Sequence, residues 1–246
     1  MIIVLFFVIH WYLSLFFQSF FHHRYAAHAH FTMTKGWEKV FNICCFITQG
    51  SSYISAYSYG VMHRLHHQHA DTIDDPHSPA NHPNFFRMMF ETRNSYHNIY
   101  TQKTIIDDKI KKGLPEWKAF DKIAHNWVTR VCWIAIYTSI YIIFATAWWQ
   151  YLLLPLTTIM GTLHGAIINW GAHKFGYVNF PVNDTSTNLL PCDILLWGEA
   201  YHNNHHKYPG RPSYAHRWFE FDATYAVIRV LNKMNIVQLK KNISLQ

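Results

Sequence analysis

Charge is what this sequence has least of. Only 14% of its 246 residues are Asp, Glu, Lys or Arg, against about 25% in ordinary soluble domains. The deficit is local: none of the 21 Lys and Arg residues and none of the 14 Asp and Glu residues lies in 1–23 or 131–173. Hydrocarbon selects for such gaps, because a charge at the bilayer centre costs about 2.5–3.5 kcal/mol on insertion scales. The same gaps argue against a metal transporter or sensor, whose path through the spans would need charged or polar lining. Cysteine is sparse too. Cys44, Cys45, Cys132 and Cys192 show no CxxC spacing, which speaks against a disulfide framework and against a cysteine-held zinc or iron–sulfur site. They read as buried small apolar residues. There is no internal repeat, no low-complexity tract, no Gly/Ser linker and no nucleic-acid-binding module. One membrane-embedded domain over residues 1–246 is the expectation.

What is present is apolar length. Met1 to Phe21 reads MIIVLFFVIHWYLSLFFQSFF, enough to span about 30 Å of hydrocarbon as a helix. It has neither the basic n-region nor the small-residue cleavage site of a signal peptide. Val128 to about Ile168 is long enough for two further spans joined by a short turn near Trp148-Trp149-Gln150, with Arg130 snorkelling at the entry. Every basic residue falls in 24–130 or 174–241. The positive-inside rule then predicts both segments on the cytosolic side, with the N-terminus and the turn near Gln150 outside. The formal charge of +7 is read first as topology, with anionic lipid or an acidic partner as a secondary use.

Segment 32–62 carries apolar patches but also Gly36, Gly50, Ser51, Ser52 and Gly60, and reads as an interfacial or re-entrant element. Residues 71–84 and 181–191 read as loops. Residues 101–125 read as an amphipathic helix broken near Gly113-Leu114-Pro115, and Trp218 to about Leu239 as a final cytosolic helix. The predicted fold is therefore all-α and integral to the membrane: about three transmembrane helices, interfacial helices and a cytosolic helical cap.

Histidine is abundant, with 19 in the chain, and its placement carries the functional signal. His63-Arg64-Leu65-His66-His67 puts imidazoles at i, i+3 and i+4, one face of a helix. His202-Asn203-Asn204-His205-His206 repeats that spacing. Neutral imidazole is the common nitrogen ligand for iron, zinc or copper. His23 and His28 are five apart, which turns a regular helix about 500° and leaves the rings about 140° apart. They therefore serve two different metals, or the helix ends between them. Asn169 and His173, at i and i+4, share a face at the end of the third span, and His164 is a weaker candidate for the same wall. His10 reads as an interior residue. His22 and His30 flank the first cluster without its spacing, and His69, His77, His82, His97, His125 and His216 read as loop or surface residues.

These boxes resemble the membrane fatty acyl desaturase family of the stearoyl-CoA desaturase type. The carrying residues are His23-Arg24…His28, His63-Arg64-x-His66-His67, the trailing Asp74-Asp75-Pro76-His77-Ser78-Pro79, Asn169…His173 and Gly198-Glu199-Ala200-Tyr201-His202-Asn203-Asn204-His205-His206. The resemblance runs from about residue 10 to 230. It implies two iron ions, with zinc as a substitute in purified protein. The implied ligands are His23, His28, His63, His66, His67, His173, His202, His205 and His206, with Asn169 reaching one ion through water. It also implies O2-dependent removal of two hydrogens from adjacent methylenes of a fatty acyl chain. Two electrons then come from an external donor, cytochrome b5-like or ferredoxin-like. Glu199 and Asp71 or Asp75 are candidates to orient imidazoles. A hydroxylase on the same scaffold is the alternative. The expected setting is a membrane, a bacterial inner membrane, with the site facing the cytoplasm and membrane lipid as a partner. Two departures stand out. One apparent span precedes the first box, where animal members have two. Val61-Met62 occupies the place of an Arg-Asp pair that contacts coenzyme A in animal members, which leaves acyl-carrier protein or a membrane lipid open as the acyl carrier.

Overall fold

The computed structural model describes residues 1–240, and nearly all of their regular secondary structure is helix. Helix α1 (Ile2–Phe17) carries no charge and runs directly into a π-helix, Gln18–Ala27. Ile2–Ala27 thus forms one apolar rod able to cross a bilayer. Next come α2 (Lys35–Gln49) and α3 (Ala56–His69), joined through a 3₁₀ turn at Gly50–Ser52. Thr34 and Ser55 cap them, accepting from the amides of Trp37 and Ser58. The 15 residues of α2 rise about 22 Å, too short for a span, as an interfacial or re-entrant element requires.

Helix α4 (Phe85–Tyr100) is capped by Asn84 and lies against α3 through Tyr96, Ile99, Val61 and Met62. The helix expected over 101–125 is reduced to two short pieces, α5 (Asp108–Lys111) and α6 (Lys118–Ala124). The difference lies in where a cap and an apolar stripe coincide: that is at 84–99, one segment earlier than expected.

Helix α7 (Trp127–Phe144) is the second clear span. It buries Tyr137 and Tyr141 while Val131, Ile134, Ile136, Ile142 and Ile143 stay exposed, a surface suited to lipid. Arg130 at its start is bound rather than snorkelling free, its Nη2 donating to Tyr53 O at 2.6 Å. The third span is not a straight helix. A 3₁₀ turn, Trp148–Leu152, leads into α8 (Leu153–Thr158), which meets α9 (Met160–Ala166) and its π-wound end Ile167–Gly171 at a bend of 73°. Ser51 and Ser52 fill the break: Ser51 Oγ donates to Thr158 O at 2.6 Å and Gly161 N–H donates to Ser52 Oγ at 2.9 Å. Freed backbone groups are tolerated at membrane depth where protein satisfies them in this way.

The remainder covers one end of this bundle. Residues 172–201 form an irregular segment tied by bridges from Asn188 to Tyr177 and Tyr201. Helices α10 (His202–Lys207) and α11 (Ala223–Lys233) follow, the latter capped by Asp222. The final helix is shorter than expected. After Asn235, at φ 56°, the chain extends and pairs β2 (Gln238–Leu239) antiparallel with β1 (Phe31–Thr32). The core joins Phe20, Phe21, Phe31, Phe41, Tyr53 and Ile228. Of the cysteines, Cys45 is buried there as expected, whereas Cys132 and Cys192 are exposed.

Candidate metal centre

Nine histidines from four segments converge where the π-helix, α3, α10 and the end of the third span meet. They form two sets: His23, His28, His63, His67 and His205 in one, His66, His173, His202 and His206 in the other. Each H-x-x-H-H box divides between them. In α3 the i and i+4 residues, His63 and His67, join the larger set while His66 turns to the smaller. In α10 the division reverses, with His202 and His206 in the smaller set and His205 in the larger. Residues i and i+4 lie only about 40° apart on a helix, whereas i+3 and i+4 lie about 100° apart. A helix wedged between two centres therefore splits its box in this way.

His23 and His28 belong to one set, although a regular helix would separate them. The π-winding of Gln18–Ala27 is the reason. His28 N–H bonds to His23 O at 3.1 Å, the i→i+5 pattern of a π-turn, so residues five apart stack on one face.

For four of the rings, hydrogen bonds set which nitrogen turns inward. His23 Nδ1 donates to Glu199 Oε2 at 2.6 Å, His66 Nδ1 to Asp75 Oδ2 at 2.8 Å, and His206 Nδ1 to Asp184 Oδ2 at 2.9 Å. His173 Nδ1 lies 3.2 Å from Thr185 Oγ1 and 3.5 Å from Asp71 Oδ2. Carboxylates accept, so these rings carry hydrogen on Nδ1 and present a bare Nε2 to the interior. Burial pushes His28, His63, His67, His202, His205 and His206 well below the ordinary imidazole range, and neighbouring imidazoles push them further. Burial raises Glu199, but attraction to His23 and Arg24 and the bonds from His23 and Ser19 outweigh it and keep the carboxylate ionised. Asp75 is likewise lowered against its burial by His66.

The inward nitrogens sit close. Nε2–Nε2 separations are 3.1 Å for His23–His205, 2.9 Å for His67–His205, 3.0 Å for His63–His67 and 2.8 Å for His28–His63. In the smaller set they are 3.2 Å for His66–His206 and 3.1 Å for His173–His202. Two nitrogens each about 2.1 Å from one ion stand about 3.0 Å apart at a right angle and about 3.4 Å apart at the tetrahedral angle. One set offers five nitrogen donors and the other four, and five exceed the four of a tetrahedral zinc site. Asn169 lines a cavity of about 40 Å³ together with His23, His63 and His202.

A profile of the fatty acid desaturase family matches residues 1–223. The chain belongs to that family. This desaturase-family chain is 29% identical over 224 residues to an sn-1 stearoyl-lipid 9-desaturase of Synechocystis, covering 88% of the chain and 64% of that relative's length. An sn-1 stearoyl-lipid 9-desaturase of Anabaena variabilis is 25% identical over 238 residues, 91% of the chain and 76% of the relative. A hex-5-enoyl-[acyl-carrier protein] acetylenase of Moorena producens is 26% identical over 267 residues, 92% and 73%. Family membership and the apolar spans make it a membrane protein.

Sequence reasoning named Glu199, Asp71 and Asp75 as orienting groups, and all three approach imidazoles. It missed Asp184 and Thr185, which sit in what read only as a loop. It read His77 only as a loop or surface residue, whereas His77 lies in a loop but is buried and stacks on His66 with ring centroids 4.3 Å apart. The Pro-rich turn after Asp75 folds back over α3, which local pattern does not reveal. Arg24, inside the first box, is a buried brace: Nη1 donates to Asp222 Oδ2 and to Pro212 O, each at 2.8 Å, and the guanidinium lies 3.9 Å from the Tyr214 ring centre. Gly198, at φ 93°, permits the turn before Glu199, where a Cβ would come within 2.5 Å of Asp222 Oδ1.

Proposed function

We propose that the protein is an oxidoreductase that desaturates fatty acyl chains with O2 at a di-iron centre. The observation that carries this reading is the gathering of nine histidines into sets of five and four, with carboxylates beside His23, His66, His173 and His206 favouring bare inward nitrogens. His23, His28, His63, His67 and His205 would hold one ion, and His66, His173, His202 and His206 the other, with Asn169 reaching the second through water. Five nitrogen donors in one set, more than a tetrahedral zinc site takes, favour iron as the working metal. When bound, iron supplies the oxidising power that breaking an unactivated C–H bond requires. The reaction balances as one O2, two electrons and two protons consumed for one new C=C bond and two waters. Two of the four electrons come from the acyl chain and two from an external cytochrome b5-like or ferredoxin-like donor.

The chain's own residues shape the substrate path. A cavity of about 670 Å³ runs along Ile54, Met62, Met89, Phe90 and Tyr96. It shares Gln18, Tyr59, Gly165 and Asn169 with the small cavity at the histidines. An acyl chain entering it leaves water behind, each methylene contributing about 0.8 kcal/mol, and its far part is led towards the histidines. Of the aromatic residues near the boxes, Tyr59 lines this path. Tyr53 instead donates to Asn42 and Asp121, and Tyr25 to Glu38.

We read the acyl carrier as a membrane lipid. Two relatives act, by their names, on stearoyl-lipid, and Val61-Met62 offers no charge to a coenzyme A. Acyl-carrier protein, named for the Moorena relative, is the competing outcome. The distribution of Lys and Arg supports a site on the cytoplasmic side, and a bacterial inner membrane is the setting proposed; reporter fusions in loop 71–84 would check the orientation. The deciding experiment expresses the chain in cells and separates glycerolipids, acyl-carrier protein and acyl-CoA before fatty acid analysis. New monoenes appearing first in lipid support the reading. Hydroxy acids would assign a hydroxylase, and an unchanged profile with iron bound would overturn it.

A further inference from the structure

The small cavity beside the histidines has a wall that the ligand set leaves unused. His164 on α9 is buried and packs edge-on against Trp11 at 4.5 Å between ring centres. Neither of its ring nitrogens has a partner among the described residues. Gln18 lines the same cavity, and its Oε1 is also buried without a partner. Two orphaned polar groups lining one small cavity call for a hydrogen-bonding occupant, since buried polar groups are otherwise paired. The cavity measures about 40 Å³, above the roughly 10–15 Å³ that a water molecule needs. A buried water needs two to four polar partners, and His164, Gln18 and Asn169 stand around this one.

Position gives the occupant a consequence. The same walls include His23 and His63 of the larger set and His202 of the smaller, so the cavity lies where the two sets adjoin. His164 and Asn169 are five residues apart, and the chain between them passes into the π-wound Ile167–Gly171. As with His23 and His28, that winding suits residues five apart to a shared face. A phenylalanine would fill the same volume beside Trp11 and leave Gln18 without a partner.

We propose that His164 and Gln18 hold one water molecule in this cavity, with His164 the positioning residue that orients it at the junction of the two histidine sets. The proposal rests on the di-iron reading above. Such a water supplies a directed hydrogen bond beside the ions without adding charge, and it stands at the metal end of the acyl path.

The test compares purified, iron-loaded wild type with His164→Phe, His164→Gln and Gln18→Leu, measuring iron per chain, the Mössbauer spectrum, kcat and KM. Expected is full iron in all four, an altered spectrum in His164→Phe, and kcat lowered about 10–100-fold with KM little changed. His164→Gln should recover most of the spectrum and of kcat, and Gln18→Leu should move both in the direction of His164→Phe. A wild-type spectrum and kcat in His164→Phe overturns the proposal, as does a glutamine variant no better than phenylalanine. Should His164→Phe fail to fold, an unmoved spectrum in Gln18→Leu overturns it equally. Wild type holding fewer than two ions would instead bring down the ligand reading, and this proposal with it.

Discussion

Glu199 Oε2 accepts from His23 Nδ1 at 2.6 Å across a sequence separation of 176 residues. Its other oxygen accepts from Ser19 Oγ at 2.5 Å and lies 3.7 Å from Arg24 Nη2. One carboxylate thus joins the end of the first span to the segment that leads into α10. It also dictates which His23 nitrogen faces the other imidazoles. Glu199→Gln keeps the shape but removes the charge that favours the Nδ1–H tautomer. Activity or iron affinity should fall about 10–100-fold, as measured by turnover and by iron retention against a chelator.

Asp184→Asn should behave like Glu199→Gln, because Asp184 does the same for His206. Asp74→Asn should not, because Asp74 is exposed and approaches none of the nine histidines. Equal effects at Asp74 and Asp184 would show that general loop stability, not ring orientation, is being read.

The division of the histidines predicts separable losses. His28→Ala or His205→Ala should weaken the ion of the five-histidine set, and His173→Ala or His202→Ala the other, each leaving about one ion bound by elemental analysis. Turnover should vanish in all four, since both ions are needed. His82→Ala and His216→Ala, outside both sets, should keep activity and iron. Loss of both ions from every single variant would mean that the centre assembles only as a unit.

Gly165 borders both cavities, and a Cβ there meets nothing nearer than Gln18 Nε2 at 4.0 Å. Gly165→Ala should therefore remain close to wild type. Gly165→Leu should obstruct the joint and lower turnover on long chains about 100-fold, the cost of a small misplacement at a reacting carbon, with iron unchanged. Product chain-length profiles from the two variants check this, and identical profiles would place the acyl path elsewhere.

Acid should destabilise the metal-free protein. His30 and His77 are pushed from the ordinary 6.5 down to about 3, chiefly by burial. Between those values the unfolded chain binds more protons than the folded one, so unfolding free energy falls as pH falls. The loss begins as pH drops below about 6.5 and continues towards about 3, and six of the clustered histidines, lowered in the same direction, add to it. Melting temperatures of chelator-stripped protein in detergent should therefore drop from about pH 7 to about pH 5. A flat profile would contradict the burial.

Much of the protein was legible in residue order, because the signals were local. Uncharged runs at 1–23 and 131–173 mark spans whatever else the chain does. Spacings within α3 and α10 announce ring clusters, since one helix turn brings i, i+3 and i+4 together. Helix α4 was not legible, because its cap and its stripe against Val61 and Met62 stood out less than the charged stretch after it.

What the sequence by itself determined was therefore the inventory: an all-helical membrane chain, its family, and the nine histidines that meet. Tertiary structure alone decided how they are shared. His23 and His28 came together only because Gln18–Ala27 winds as a π-helix packed against α3, and no residue within that segment prescribes the i→i+5 register. His66 parted from His63 and His67 because α3 lies between two centres. Asp184 reached His206 from an irregular segment with no periodicity to read. Ser51 and Ser52 entered the break in the third span from a turn more than 100 residues away. These are long-range pairings set by packing and by the demand that every buried polar group find a partner, and neither condition is written in any short stretch of the chain.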